Sequence, residues 1–138
     1  MLTTIYTYPI ALVTFLIIDM FWLQIAAKDL YKRSLGPLLS ANPNLGTAFI
    51  FYGLYIAALL YFVIQPVYKD HNFTQALIRA AVFGGICYAT YDLTNLAVIN
   101  GWPVAITVID IIWGIVLTTA VTAITLIIMQ RLDLTTFR

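Results

Sequence analysis

Apolar residues in this chain gather into four long runs, roughly Ile5–Ala27, Thr47–Val67, Ala76–Val98 and Val104–Met129, and the polar positions collect between them. Each run holds about 20 residues or more, long enough as a helix to cross a bilayer core of about 30 Å. The pattern predicts an all-α fold, an integral membrane four-helix bundle with short loops, forming a single transmembrane domain over residues 1–138.

The connections carry readable stop and start signals. Between the first and second runs, KDLYKRSLGPLLSANPNLG contains Lys28, Lys32 and Arg33, then Gly36-Pro37 and Asn42-Pro43-Asn44, which end helices and make turns. The first helix is expected to run on past the membrane surface before these signals stop it. Between the second and third runs, VYKDHNFT offers Asn72 or Thr74 as a helix cap. Asn100-Gly101-Trp102-Pro103 is a tight turn with Pro103 placed to start the last helix, so the third and fourth helices should form an antiparallel hairpin.

Composition strengthens this reading. The chain is 62% hydrophobic and 9% charged, with a mean hydropathy of +0.94, far from the balance of a soluble domain. MLTTIYTYPI lacks the positive start of a cleaved signal peptide, so the first run reads as a retained helix. A formal net charge of +1 gives no basis for binding nucleic acid. Cys87 is the single cysteine and reads as a small packing residue; His71 lies in a polar turn without further metal-type ligands beside it, which argues against zinc or any other metal site. Tyr6, Tyr8, Tyr68 and Trp102 stand at run ends, where amphipathic rings favour the headgroup region.

The acids change the picture. All six are Asp; Asp29, Asp70 and Asp133 fall in loops or ends, leaving Asp19, Asp92 and Asp110 inside apolar runs. Asp19 lies eight residues before Ala27, Asp92 six before Val98, and Asp110 six after Val104. Tracing helix directions puts all three at the same side, roughly 9–12 Å below one surface. Each has a partner three residues on, Trp22, Asn95 and Trp113, on its own helix face. Asp110, Gly114, Thr118 and Thr122 form one ridge, and Ala81, Gly85, Tyr88, Ala89 and Asp92 another, so small residues turn Asp92 and Asp110 toward neighbouring helices.

A plainer alternative is that the acids are neutral and crosslink helices through Asn95, Thr94, Tyr88, Tyr91 or backbone carbonyls. Asn or Ser would do this at lower cost, because an Asp at a helix centre disfavours insertion by about 2.5–3.5 kcal/mol. Three anions in one dry layer repel each other, and no Lys or Arg lies deep in any run. The compensating charge must be a proton, a bound cation, a cationic solute, or a loop group such as Lys28, Lys32 or Arg33. The expected ligand-binding set is Asp19, Trp22, Tyr88, Tyr91, Asp92, Thr94, Asn95, Asp110 and Trp113, with the two tryptophans offering cation–π contacts.

DMFW, AFIFYGLY, YATYDLTNLAVINGWP and ITVIDIIWG resemble the bacterial family of small four-helix membrane proteins catalogued as domain of unknown function 2177. The resemblance covers about Asp19–Thr118 and implies a membrane protein without an assigned activity; the bacterial inner membrane is the expected location, and no cofactor is assigned. Three function classes follow from the residues: a site binding or transporting a cation, amine or polar headgroup; a membrane-embedded enzyme using one Asp as acid and another as base on a lipid or apolar substrate; or an accessory subunit whose Asp layer pairs with a partner protein. A second copy of the chain could help enclose a solute path. Lys69, Arg79, Arg131 and Arg138 on one side against Lys28, Lys32 and Arg33 on the other place both termini in the cytoplasm.

Overall fold

The computed structural model describes residues 2–132, 134 and 135. Asp133 and Arg138, assigned above to the carboxyl-terminal end, lie outside the described residues. The helices are α1 (Leu2–Phe21), α2 (Lys28–Leu35), α3 (Leu45–Leu59), α4 (Gln65–Asp70), α5 (Phe73–Val98) and α6 (Val104–Arg131). No described residue is in a strand, so the all-α reading holds.

Local chemistry explains the boundaries. Asn44 and Asn72 cap α3 and α5, their side-chain oxygens accepting from Thr47 N at 3.0 Å and Gln75 N at 2.9 Å. Of the two expected caps, Asn72 is used and Thr74 is not. His71 takes a left-handed conformation at the end of α4, and Gly101 has φ +82° in the hairpin turn. Pro103 stands just before α6 as its N-cap rather than inside its first turn. A π turn over Leu60–Ile64 joins α3 to α4. Pro66 accounts for the break there, since it has no N–H for the Phe62 carbonyl and its ring crowds that carbonyl.

The first helix does not run straight on into the loop. A π turn over Trp22–Ala26, closed by Ala27 N–H donating to Trp22 O at 2.8 Å, ends α1. The chain then restarts as α2, with Ala27 and Leu35 buried, Tyr31 half-buried, and Lys28, Asp29, Lys32 and Arg33 exposed. Residues 27, 31 and 35 share one face at four-residue spacing, so α2 is an amphipathic helix lying against the bundle end. Asp29 is therefore helical, as is Asp70 at the end of α4.

The longest interface joins α5 and α6 as an antiparallel hairpin, and α6 also packs along α1. Phe15, Ile56, Leu59, Ile64, Leu117 and Leu126 fill the centre, while Ile17, Leu54, Ile86 and Ile112 point outward. Three helical runs, Ile5–Ala26, Leu45–Lys69 and Val104–Arg131, have the length and apolarity to cross a membrane. The fourth, α5, has 26 residues and thus the length, but Arg79, Asp92 and Asn95 lower its apolarity.

Candidate functional site

The register of the hairpin locates the acids. A side chain on Gly84 would collide with the Gly114 carbonyl and the Thr118 side chain, and one on Gly114 would collide with the Tyr88 ring. Gly84 therefore faces Thr118, and Tyr88 faces Gly114. One further turn toward Gly101 brings Asp92 level with Asp110, and another three residues bring Asn95 level with Thr107. Gly85 sits beside this seam, with Ile115 Cγ1 at 3.1 Å from the position its Cβ would take.

All three acids are buried, Asp19 at 4%, Asp92 at 0% and Asp110 at 8% exposure. Their surroundings differ. Asp19 on α1 accepts two hydrogen bonds, from Tyr52 Oη at 3.0 Å and from Trp113 Nε1 at 3.3 Å, tying α1 to α3 and α6. Asp110 on α6 accepts from the Tyr31 hydroxyl, and Tyr31 in turn accepts from Trp22 Nε1 at 3.3 Å. Trp22 and Trp113 stack almost parallel, with centroids 4.2 Å apart and an interplanar angle of 9°. These contacts form one closed patch of two acids, two indoles and two phenols, with Tyr31 of α2 laid over it.

Asp92 on α5 is the exception, because both carboxylate oxygens are buried without a hydrogen-bond partner. Its level neighbour is another acid. Tyr88, one turn before Asp92 on α5, lays its ring against Gly114 of α6, so it stands beside the α5 acid at the hairpin seam. Lys28, Lys32 and Arg33 are exposed on α2, and none of them makes an ion pair with Asp19, Asp92 or Asp110. No group of three metal-type ligands converges among the described residues.

The structure thus brings together Asp19, Trp22, Asp110 and Trp113, with Tyr88 and Asp92 beside them. Tyr91 and Thr94 are not drawn in. Tyr91 is 60% exposed and meets Trp102 edge to face at 5.8 Å. Thr94 is exposed and returns its hydroxyl to the carbonyls of its own helix, at Thr90 and Tyr91. Asn95 is half-buried one turn beyond Asp92. The stack also limits the tryptophans, since each indole spends one face on the other and has only its outer face for a cation.

Two residues of the patch, Tyr31 and Tyr52, were not singled out from sequence. The signal for Tyr31 is its four-residue spacing from Ala27 and Leu35; for Tyr52 it is its position three residues before Tyr55 on one face of α3. The expected interface anchors also do more than sit at a surface. Tyr8 donates to Gly53 O at 3.1 Å, Tyr68 and Thr7 share a hydrogen bond of 2.7 Å, and Trp102 Nε1 donates to Thr107 Oγ1 at 3.1 Å.

Apolar helices with outward-facing aliphatic side chains and buried acids define a helical membrane protein. The chain belongs to the family described as predicted membrane protein (DUF2177), whose model matches residues 4–127. No curated protein and no solved structure matches it.

Proposed function

We propose that the protein crosses a bacterial inner membrane four times, through α1, α3–α4, α5 and α6, with both termini cytoplasmic, and that it holds a primary ammonium group at the Asp layer. The observation that carries this reading is Asp92, fully buried, with neither oxygen hydrogen-bonded and with Asp110 at its level. An ionised carboxylate in that position costs several kcal/mol unless a positive charge joins it. An ammonium group has three donors, enough for Asp92, Asp110 and a third oxygen, and its charge offsets the mutual repulsion of the acids. The spread of the acids over three helices and the lack of a three-ligand metal cluster among the described residues favour an amine over a coordinated divalent ion. The outer indole faces of Trp22 and Trp113 add cation–π attraction. The acid–base reading of the same carboxylates has less support, because both Asp19 oxygens and one Asp110 oxygen already accept hydrogen bonds.

The test is native mass spectrometry of protein reconstituted with phosphatidylethanolamine or incubated in detergent with free ethanolamine. The wild type should retain one amine in at least one arm, and the arm that does so identifies headgroup or free solute as the source. Asp92→Asn and Asp110→Asn should each lose roughly tenfold or more in retention, the worth of a charge-assisted hydrogen bond. Thr90→Ala should lose nothing, since Thr90 is exposed and bonded only to the Ile86 carbonyl of its own helix. Equal retention by all four proteins, or none by the wild type, would sink the proposal.

A further inference from the structure

The π turn over Trp22–Ala26 ends the first membrane run, and α2 begins two residues later at Lys28. The residues of α2 divide by exposure into two faces. Leu35 is buried, Leu30, Tyr31 and Ser34 are half-buried, and Lys28, Asp29, Lys32 and Arg33 are exposed. With 3.6 residues per turn, the four charged side chains share one arc of about 140°, and the residues that meet the bundle take up the rest. That arc carries three cations and one anion.

Two observations set the level of the arc relative to a bilayer. Lys28 follows the apolar run Ile5–Ala26 so closely that a helical rise of only about 3 Å separates them. Tyr31 donates to Asp110, a residue inside the apolar run Val104–Arg131. A tyrosine side chain reaches about 6.5 Å from its Cα, so the middle of α2 is held within that distance of a membrane-crossing segment. A first helix running straight on would instead carry Arg33 roughly 10 Å beyond the run, past a headgroup layer about 5–7 Å thick. The charged arc of α2 therefore lies among the lipid headgroups. Ile25 before α2 and Leu38 and Leu39 after it are exposed, at 68%, 49% and 43%. Apolar residues on both sides of a basic helix suit the border of headgroups and acyl chains, whereas a soluble acidic partner would leave them in water.

We propose that α2 binds an anionic phospholipid, with the lipid phosphate held between the ammonium groups of Lys28 and Lys32. The two lysines stand one helical turn apart on the exposed arc, about 6 Å between their Cβ atoms, and each ammonium has three donors for phosphate oxygens. Asp29 and Arg33 have the same four-residue spacing with the acid first, the order in which such a pair offsets its own charge, and this leaves the lysine pair as the net positive group. A lipid with net negative charge is favoured over a zwitterionic one, because a choline headgroup would bring a third cation beside the two lysines. Lipid bound there adds a tie on α2 from the membrane side to the ties that Tyr31 and Leu35 make with the bundle. The proposal does not require an amine at the Asp layer, since no residue of that layer holds the phosphate.

The experiment is native mass spectrometry of the full chain in detergent, with phosphatidylglycerol or phosphatidylcholine of the same acyl chains added in equal amount. The wild type should retain phosphatidylglycerol roughly tenfold or more in preference to phosphatidylcholine. Lys28→Gln and Lys32→Gln should each weaken that retention roughly fivefold, the usual worth of one basic residue at an anionic surface, and together by roughly ten- to thirtyfold. The double replacement by Arg keeps both charges and should stay within roughly threefold of the wild type. Lys69→Gln, at the exposed lysine that ends the run Leu45–Lys69, should change nothing. Equal retention of the two lipids by the wild type overturns the proposal. So does undiminished retention of phosphatidylglycerol in both single Gln variants, which carry the test should the double variant not fold, or a loss in Lys69→Gln as large as theirs. Phosphatidylglycerol has no amine, so this proposal and the amine reading of the Asp layer can each fail while the other stands.

Discussion

Two seams hold the bundle together, and they are made of different materials. Between α5 and α6 the backbones touch: Gly84 lies against the Gly114 carbonyl and Thr118, and Gly114 lies beneath the Tyr88 ring. Between α6 and the helices α1, α2 and α3 the polar contacts are made by side chains, at Asp19–Trp113, Asp110–Tyr31 and Thr118–Tyr55, in addition to the apolar packing of α1 along α6. The first seam has no room for adjustment, because a peptide carbonyl cannot rotate away. At the second, each of these polar contacts depends on a few side-chain torsions and a hydrogen bond. The close-packed hairpin therefore forms one wall of the Asp layer, and α1 with its appendage α2 forms the other.

That contrast can be broken at its steric side first. Gly84→Leu should separate α5 from α6 and destabilise the protein by about 3 kcal/mol or more, the upper range for overpacking, read as a lowered melting temperature in detergent. Gly85→Leu should do markedly less, because only the flexible Ile115 side chain has to yield. Equal effects at the two glycines would mean that the register drawn from Gly84 is wrong.

On the polar side the expected losses are smaller. Asp19→Leu leaves the Tyr52 hydroxyl and the Trp113 indole without their acceptor and should cost about 1.5–3 kcal/mol, detected by the same melting measurement. Asp19→Asn, which keeps an acceptor oxygen, should recover part of that loss. The smallest effect belongs to Tyr31→Phe. It removes the single hydroxyl that joins α2 to Asp110 and to Trp22, a loss of about 1 kcal/mol. Global stability should barely move, while hydrogen exchange of the α2 amides should speed up severalfold. Unchanged exchange would show that burial of Ala27 and Leu35 alone fastens α2.

How far these features could be read in advance follows from what kind of signal each leaves. Asn44, Asn72 and Gly101 act on their immediate neighbours, so helix ends are legible from short stretches of sequence. The shared level of Asp92 and Asp110 is legible too, because a tight turn between two antiparallel helices fixes their register by counting. Which of two adjacent glycines meets α6 is not, since Gly84 and Gly85 differ by only about 100° of helical rotation and both lie near the seam. The outward turn of Tyr91 and Thr94 escaped for the same reason: spacing from Asp92 alone does not say how wide the inner face is. Tyr31 was hidden in a different way. The charges of KDLYKRSL suggest a helix projecting into water, and only the π turn at Trp22–Ala26 folds the segment back so that Tyr31 reaches Asp110.

The stacking of Trp22 on Trp113 also has an optical consequence. The chain contains three tryptophans, and two of them lie 4.2 Å apart and nearly parallel. At that separation their excited states mix, so the pair absorbs as a coupled chromophore, while Trp102 in the hairpin turn remains a single emitter. Trp22 stands where α1 gives way to the turn that carries α2, and Trp113 stands on the fixed hairpin. Any swing of α2 away from the Asp layer that carries Trp22 with it would separate the rings and dissolve that coupling, which gives the protein a built-in, label-free gauge of whether its acidic layer is open.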